Sequence, residues 1–286
     1  MLTVGELEAA LLSRFLVADA ESWDHVGLSV GEPAAAVEGV ACALDATEAN
    51  VRRAHDLGCN VLLTHHPVYI KAPGCFAPAD PARPQASAAL YTAARLGVSV
   101  ISLHTNLDRS LEARACLSEG LGLVAASSLE HPDDPSATGL GALCETLTPL
   151  TFGDLAARAA HMASNPLAKP PQEGQSLLWW SAPRVWGEPD KVCRRVAILG
   201  GSLGDFGELA IAAGADAIVT GEAGYHVVQD LSIRGLGVIL MGHDRSEEPF
   251  VNILMNSAID AGVDPARAHT IVNPRQWWTV TEGDYS

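Results

Sequence analysis

The sequence predicts an α/β protein made of two similar lobes, each built on a mainly parallel sheet. Three observations carry that prediction. Short apolar runs alternate with helical stretches along much of the chain, the pattern of a parallel sheet covered by helices. The segments AHDLGCNVLLTHH (54–66) and AIAAGADAIVTGE (210–222) align without gaps on their Ala, Gly and Thr, with Thr64 falling on Thr220. The unusual polar clusters all follow predicted strands at their carboxyl ends, where open parallel sheets collect ligands. Duplication of an ancestral unit and chance likeness of two βαβ units both account for so short a match.

Taken in order, VGELEAALLSRFL carries helical spacing of its apolar residues, and VEGVACALD reads as a buried strand ending at Asp45. Thr47 is placed to cap the helix EANVRRAHDLG, which Gly58 stops. NVLLTHHP is the second strand, PQASAALYTAARLG a helix, and VSVISLHTNLD the third strand. From about 127 to 190 the Pro-rich stretches HPDDPS, NPLAKPPQEG and SAPRVWGEPD mark loops around one helix, TFGDLAARAAHMA, and one strand, QSLLWW. Trp179, Trp180 and Trp186 cluster there and read as core or interface aromatics. The pattern then restarts: strand RRVAILGGS, helix GELAIAAG, strand ADAIVTGE, strand LGVILMGH and a closing helix SEEPFVNILMNSAIDAG. The first lobe is expected over 1–126, joined by the C-terminal segment 242–286, and the second over 127–241 with its proline-rich loop region.

Composition excludes several classes. The chain has 286 residues, 48% of them hydrophobic, which is ample for a core. No apolar run reaches the length of a membrane span, and Glu6 and Glu8 stand where a signal peptide would be basic, so a cytoplasmic protein is expected. A net charge of −16 with only 18 Lys and Arg argues against a general nucleic-acid surface. The six cysteines are scattered without a C-x-x-C pair, so neither a zinc knuckle nor a disulfide framework is indicated.

The chemistry lies in His65, His66, His104, Asp108, Glu222, His226, His243 and Glu247. Imidazole mixed with carboxylate is the donor set of Zn, Mn, Fe or Ni. His243 and Glu247 stand at i,i+4 in GHDRSEE, so a helix starting near Gly242 would put both on one face. Pro67 keeps His66 extended, and adjacent side chains of an extended chain point to opposite sides. Two rings directed apart suit two metals better than one, and Asp108 or Glu247 could bridge them.

WDHVGLSVG (23–31), LLTHHP (62–67), HTNLD (104–108), TGE followed by His226, and GHDRSE (242–247) occur in the order found in the NIF-three-like dinuclear metal-centre family. The chain resembles that family, whose members are often called GTP cyclohydrolase I type 2 homologues, over essentially its whole length. The resemblance implies that His65, His66, Asp108, His243 and Glu247 hold two divalent metal ions per chain, Asp108 and Glu247 bridging. It also implies that the metals sit in a cleft between the two α/β lobes, and that the chain forms a homohexamer around a cavity. His25 departs from the family's usual W-D-N-x-G-L and could place a further imidazole near the site. In LGGSLGDF, Leu203 interrupts the family's G-G-S-G turn. That turn reads either as a phosphate cradle of backbone N–H groups or as a tight strand-to-helix connection.

Two metals equip a hydrolase through a metal-activated water. A GTP cyclohydrolase would open the guanine imidazole ring and release formate. A second branch is hydrolysis of a phosphate ester. The leaving nitrogen needs a general acid, for which His104, Glu222 and His226 stand nearest; orientation of the metal ligands is their alternative role. The rival class is a non-catalytic, metal-binding hexameric scaffold or metal-handling protein. Five side chains for two ions leave coordination positions to water, whereas a structural zinc site is normally closed by four protein ligands.

Overall fold

The computed structural model describes residues 1–78, 80–164 and 183–272. It divides into two compact units. The first spans Met1–Leu107 and takes the chain back from Phe250; the second, among the described residues, is Asp108–Pro249.

In chain order the first unit carries α1 (Val4–Arg14), β1 (Gly27–Val30), β2 (Val40–Ala43), α2 (Glu48–Asp56), β3 (Val61–Thr64), α3 (Pro84–Leu96) and β4 (Ser99–Ser102). A short helix α4 (Thr105–Asp108) runs across the change of unit. The second unit holds α5 (Leu111–Gly120), β5 (Ala125–Ser127), β6 (Ala142–Thr151), α6 (Phe152–Ser164), β7 (Arg184–Trp186) and β8 (Val192–Ile198). It continues with α7 (Phe206–Ala212), β9 (Ala217–Thr220), α8 (Tyr225–Ile233), β10 (Gly237–Leu240) and α9 (His243–Glu247). The chain then returns to the first unit with α10 (Phe250–Asp260) and β11 (Ala268–Thr270).

The first sheet has the order β1-β4-β3-β2-β11, parallel except for the β1–β4 pair. Its three inner strands are short and buried throughout, which is why they read as continuous apolar runs. Ala41, Ala43, Leu62 and Val100 pack with α2 and α3 through Val51, Ala54, Ala89 and Ala93. The alternate positions Val40, Cys42, Val61 and Leu63 are equally buried, and α10 packs on β2, β3 and β11.

The second sheet has the order β5-β6-β8-β9-β10-β7, a parallel core β8-β9-β10 flanked by antiparallel strands. Ala197, Ile218 and Val238 bury one face with Ala210, Val228 and Leu231 of α7 and α8. α5 and α6 pack against β6.

The two matched segments fold alike. Both α2 and α7 end on a glycine in the left-handed region, Gly58 at φ +75° and Gly214 at φ +72°. Each closes with the same pair of hydrogen bonds: Gly58 N–H to His55 O and Cys59 N–H to Ala54 O, against Gly214 N–H to Ile211 O and Ala215 N–H to Ala210 O. The strand registers agree too, Val40 opposite Val61 in the first sheet and Val196 opposite Ala217 in the second.

The structure departs from the sequence reading at identifiable places. β1, β5, β6, β7 and β11 were not expected as strands, β7 lying within SAPRVWGEPD, which reads as a loop in the sequence. The third expected strand stops at Ser102, and Thr105–Asp108 turns into a helix because Asn106 Oδ1 accepts the His104 N–H at 3.0 Å and Leu107 N–H reaches His104 O at 2.8 Å. The single closing helix is two, α9 and α10, parted at Pro249, whose ring cannot continue a helix ladder. The units change at 107/108 and 249/250 rather than at 126/127 and 241/242, since α5 and β5 pack on β6 and α9 on α6. The expected strand QSLLWW, with Trp179 and Trp180, lies outside the described residues; Trp186 packs at the edge of the second core. No helix among the described residues is long and apolar enough to cross a membrane.

Candidate metal centre

In the first unit β3 ends at Thr64, and the chain bends at the two histidines that follow. His65 is fully buried and His66 half-buried, yet their rings are not directed apart as the sequence reading expected, because the bend turns both toward one cluster. Their backbone N–H groups pair with Ala43 O and Leu44 O, so the neighbouring strand fixes both residues before any ligand arrives. One ring nitrogen each from His65, His66 and His104 lies within 4.8 Å of the others. Ring centroids are 5.1 Å apart for His65–His66 and 5.3 Å for His65–His104.

Each of the three imidazoles is anchored by its Nδ1. His65 Nδ1 lies 3.0 Å from Leu103 O, His66 Nδ1 2.7 Å from Asp45 Oδ1, and His104 Nδ1 2.9 Å from Asp24 Oδ1. A carbonyl or a carboxylate oxygen can only accept, so each Nδ1 carries a proton, which in the neutral ring places the lone pair on Nε2. This is how metal-binding histidines are oriented by their surroundings. Asp24 also accepts from the Thr105 N–H at 3.0 Å and from the Thr105 hydroxyl. Burial alone would raise its pKa, but the His104 and Thr105 hydrogen bonds outweigh it and hold the carboxyl well below the usual range.

In the second unit α9 presents His243 and Glu247 one turn apart. His243 Nε2 lies 3.1 Å from Glu247 Oε2, and His243 Nδ1 lies 3.0 Å from Glu222 Oε1. Glu247 is nearly buried and also has a carboxylate oxygen within 4.8 Å of one of Asp108. Glycines make room for this helix. Gly242, at φ +104°, starts it. A Cβ on Gly221 would lie 2.8 Å from His243 Cα and 2.7 Å from Ser246 Oγ, so only glycine lets β9 and α9 approach so closely. Ser246 locks the arrangement, its hydroxyl donating to His243 O at 2.8 Å and accepting the Gly201 N–H at 2.9 Å.

The structure thus brings His65, His66 and His104 together in one unit, and Asp108, His243 and Glu247 together in the other, with Glu222 holding His243. His226 sits apart, exposed on the first turn of α8 with its ring edge-on to Tyr225 at 5.3 Å. His25 stacks on Tyr69 at 4.4 Å and joins none of the ligand groups among the described residues. The glycine turn resolves as a tight connection: the Gly201 N–H goes to Ser246 and the Leu203 N–H to Glu222 O at 2.8 Å. Sequence reasoning placed His104 outside the ligand set and gave Asp24 and Asp45 no role. WDH and LDAT place these carboxylates in a motif and at a strand end, but nothing local in either stretch names the distant histidine that each one holds.

Each unit by itself offers donors suited to a divalent metal of borderline hardness, three imidazoles in the first and two carboxylates with an imidazole in the second. The family model for Duf34/NIF3 (NGG1p interacting factor 3) matches residues 2–264. Among curated relatives, the GTP cyclohydrolase 1 type 2 homolog of Streptomyces coelicolor is 32% identical over 254 residues, covering 87% of this chain and 83% of its own. The protein of that description from Clostridium acetobutylicum is 30% identical over 236 residues, covering 82% and 81%. Among solved structures, Staphylococcus aureus protein SA1388 superposes with a TM-score of 0.79 at 22% identity over 98% of this chain and 99% of its own. A Bacillus cereus protein related to NIF3 gives 0.75 at 19% identity over 97% of both chains. A match along nearly the whole chain, together with relatives at this identity, places the chain in the Duf34/NIF3 family.

Proposed function

We propose that the chain is a dinuclear metal-dependent hydrolase of GTP cyclohydrolase type. In this reading His65 and His66 ligate one ion each, His243 serves as a further ligand, and Asp108 and Glu247 are the bridging carboxylates. The observation that carries it is the anchoring of the clustered His65 and His66 imidazoles through Nδ1, which in the neutral rings places each lone pair on Nε2, the form a metal ligand takes. The description of the relatives as GTP cyclohydrolase 1 type 2 homologs supports the choice of substrate.

Two ions held by these donors, drawn from Zn, Mn, Fe or Ni, would lower the pKa of water and polarise a carbonyl or phosphoryl oxygen. The chain's own residues do the positioning. Asp45 and Asp24 fix the tautomers of His66 and His104, and Glu222 accepts a hydrogen bond from His243 Nδ1, which leaves Nε2 facing Glu247. His104 and Glu222, which contact or join the clustered side chains, remain the groups proposed to deliver the proton that the leaving nitrogen needs. The proposed assembly is a homohexamer in the cytoplasm.

The test is chromatographic product analysis of GTP and a panel of phosphate esters with protein reloaded in turn with Zn, Mn and Fe, beside Asp108→Ala. Formate and a ring-opened product from wild type alone is the expected result. Phosphate release alone would move the activity to phosphoester hydrolysis. Full metal occupancy with every substrate intact would overturn the hydrolase reading in favour of a metal-binding scaffold.

A further inference from the structure

Trp23 is the large aromatic that the fold holds at the edge of the histidine cluster without burying it. Over half of its surface, 54%, is exposed. An indole left in water forfeits one of the largest burial gains available to a side chain, so its position calls for a reason. Looseness of the loop is not that reason. Glu21 N–H donates to Thr105 Oγ1 at 2.8 Å, Asp24 N–H to Glu21 O at 2.9 Å, and Asn106 Nδ2 to Phe15 O at 2.8 Å. Asp24 in turn accepts from His104 Nδ1 at 2.9 Å and the Thr105 N–H at 3.0 Å. The loop that carries the indole is therefore tied to the turn that carries His104. The Trp23 and His104 rings meet edge-on at 6.0 Å, and His104 stands 5.3 Å from His65 and 5.8 Å from His66.

We propose that Trp23 is a stacking platform for a planar heteroaromatic ring of purine class, presented next to the histidine cluster. The inference deepens the hydrolase reading and rests on it for the chemistry, while the binding step is separable. A flat ring laid on a pinned indole gains the offset-stacking contact without ordering a loop, and its edge is brought beside the imidazoles.

Equilibrium dialysis of guanosine against full-length wild type, Trp23→Ala and Trp23→Phe tests this, with ribose as the non-aromatic control. Metal content and sedimentation mass are measured on each sample. W23A should weaken guanosine binding by roughly ten-fold or more, the usual loss when a base-stacking aromatic is removed, while W23F keeps most of the affinity. Metal content and mass should not change. Equal guanosine affinity in W23A and wild type would overturn the proposal, as would a parallel loss of ribose binding. A fall in mass on substitution would also overturn it, placing the indole at a contact between copies. Wild type that holds metal but binds no guanosine would sink the platform and leave the metal reading intact. Wild type that binds guanosine through Trp23 but holds no metal would do the reverse.

Discussion

Gly201 offers a way to disturb Glu247 without touching it chemically. The glycine sits at φ +62°, where an L-residue costs about 1–2 kcal/mol. A Cβ built there would fall inside van der Waals contact of Glu247 Oε1, with Glu247 Cδ at 3.2 Å and His243 Nε2 at 3.3 Å. Glu247 is 4% exposed and has little room to retreat, so its carboxylate must leave its place beside His243. Gly204 is the matched control: it lies at φ +50°, and a Cβ there meets only Phe206 Cδ2 at 4.0 Å. Gly204→Ala should therefore cost about 1–2 kcal/mol in urea denaturation and leave metal affinity unchanged. Gly201→Ala should cost at least as much and weaken metal binding by about ten-fold or more in competition with a chromogenic chelator. If G201A stays folded and binds metal as G204A does, Glu247 is not a ligand in the position described, and the proposed bridging role falls with it.

Three further outcomes follow from the same geometry. Glu130 takes a two-pronged contact from Arg109, at 3.0 and 2.9 Å, and the Leu140 N–H at 2.8 Å. Burial raises its pKa, but these bonds outweigh it and depress the carboxyl below its ordinary 4.5. Its stabilisation is thus complete above the unfolded value and lost as pH falls through the folded one. Glu130→Gln should cost about 1–3 kcal/mol at neutral pH, and the gap to wild type should begin to narrow near pH 4.5 and shrink steadily as acid is added; a gap that stays constant through the acid range would refute the assignment. Asp24→Asn should lower metal affinity by about 10- to 100-fold through misorientation of His104, read by isothermal titration calorimetry; unchanged affinity would remove His104 from the proposed centre. Ser246→Ala leaves the Gly201 N–H without its acceptor and should cost about 1–3 kcal/mol by urea denaturation, whereas a loss near zero would mean that this bond does not hold α9.

The strands that were legible in the sequence are those buried on both faces, because VACA, VLLT and AIVT announce themselves as unbroken apolar runs. β6 was not legible. It opens apolar, then turns polar and contains Pro149, which falls where the register of its pairing with β8 shifts between Glu145 and Leu150. A proline at such an irregularity is tolerated, but in a sequence it reads as an interruption. HTNLD looked like continued strand because the bond that turns it, from His104 N–H to the Asn106 side chain, belongs to a side chain that sequence patterning counts merely as polar. The ligand candidates themselves were legible by residue type and place. Their supports were not: Asp45 reaches His66 across 21 residues and Asp24 reaches His104 across 80, separations at which no local pattern survives.

The paired closures at Gly58 and Gly214 act as rulers. From each left-handed glycine the chain counts six residues to a buried threonine, Thr64 or Thr220, and the next two positions carry His65 and His66 in one unit and Gly221 and Glu222 in the other. Side chains alternate along the strands that end at these threonines, so deleting or adding a single residue within that count would shift the register that sets where the next two positions emerge. These two segments should then accept many substitutions yet almost no change of length, and a one-residue deletion after Gly58 should do more harm to metal content than any single replacement among Cys59, Asn60 and Val61.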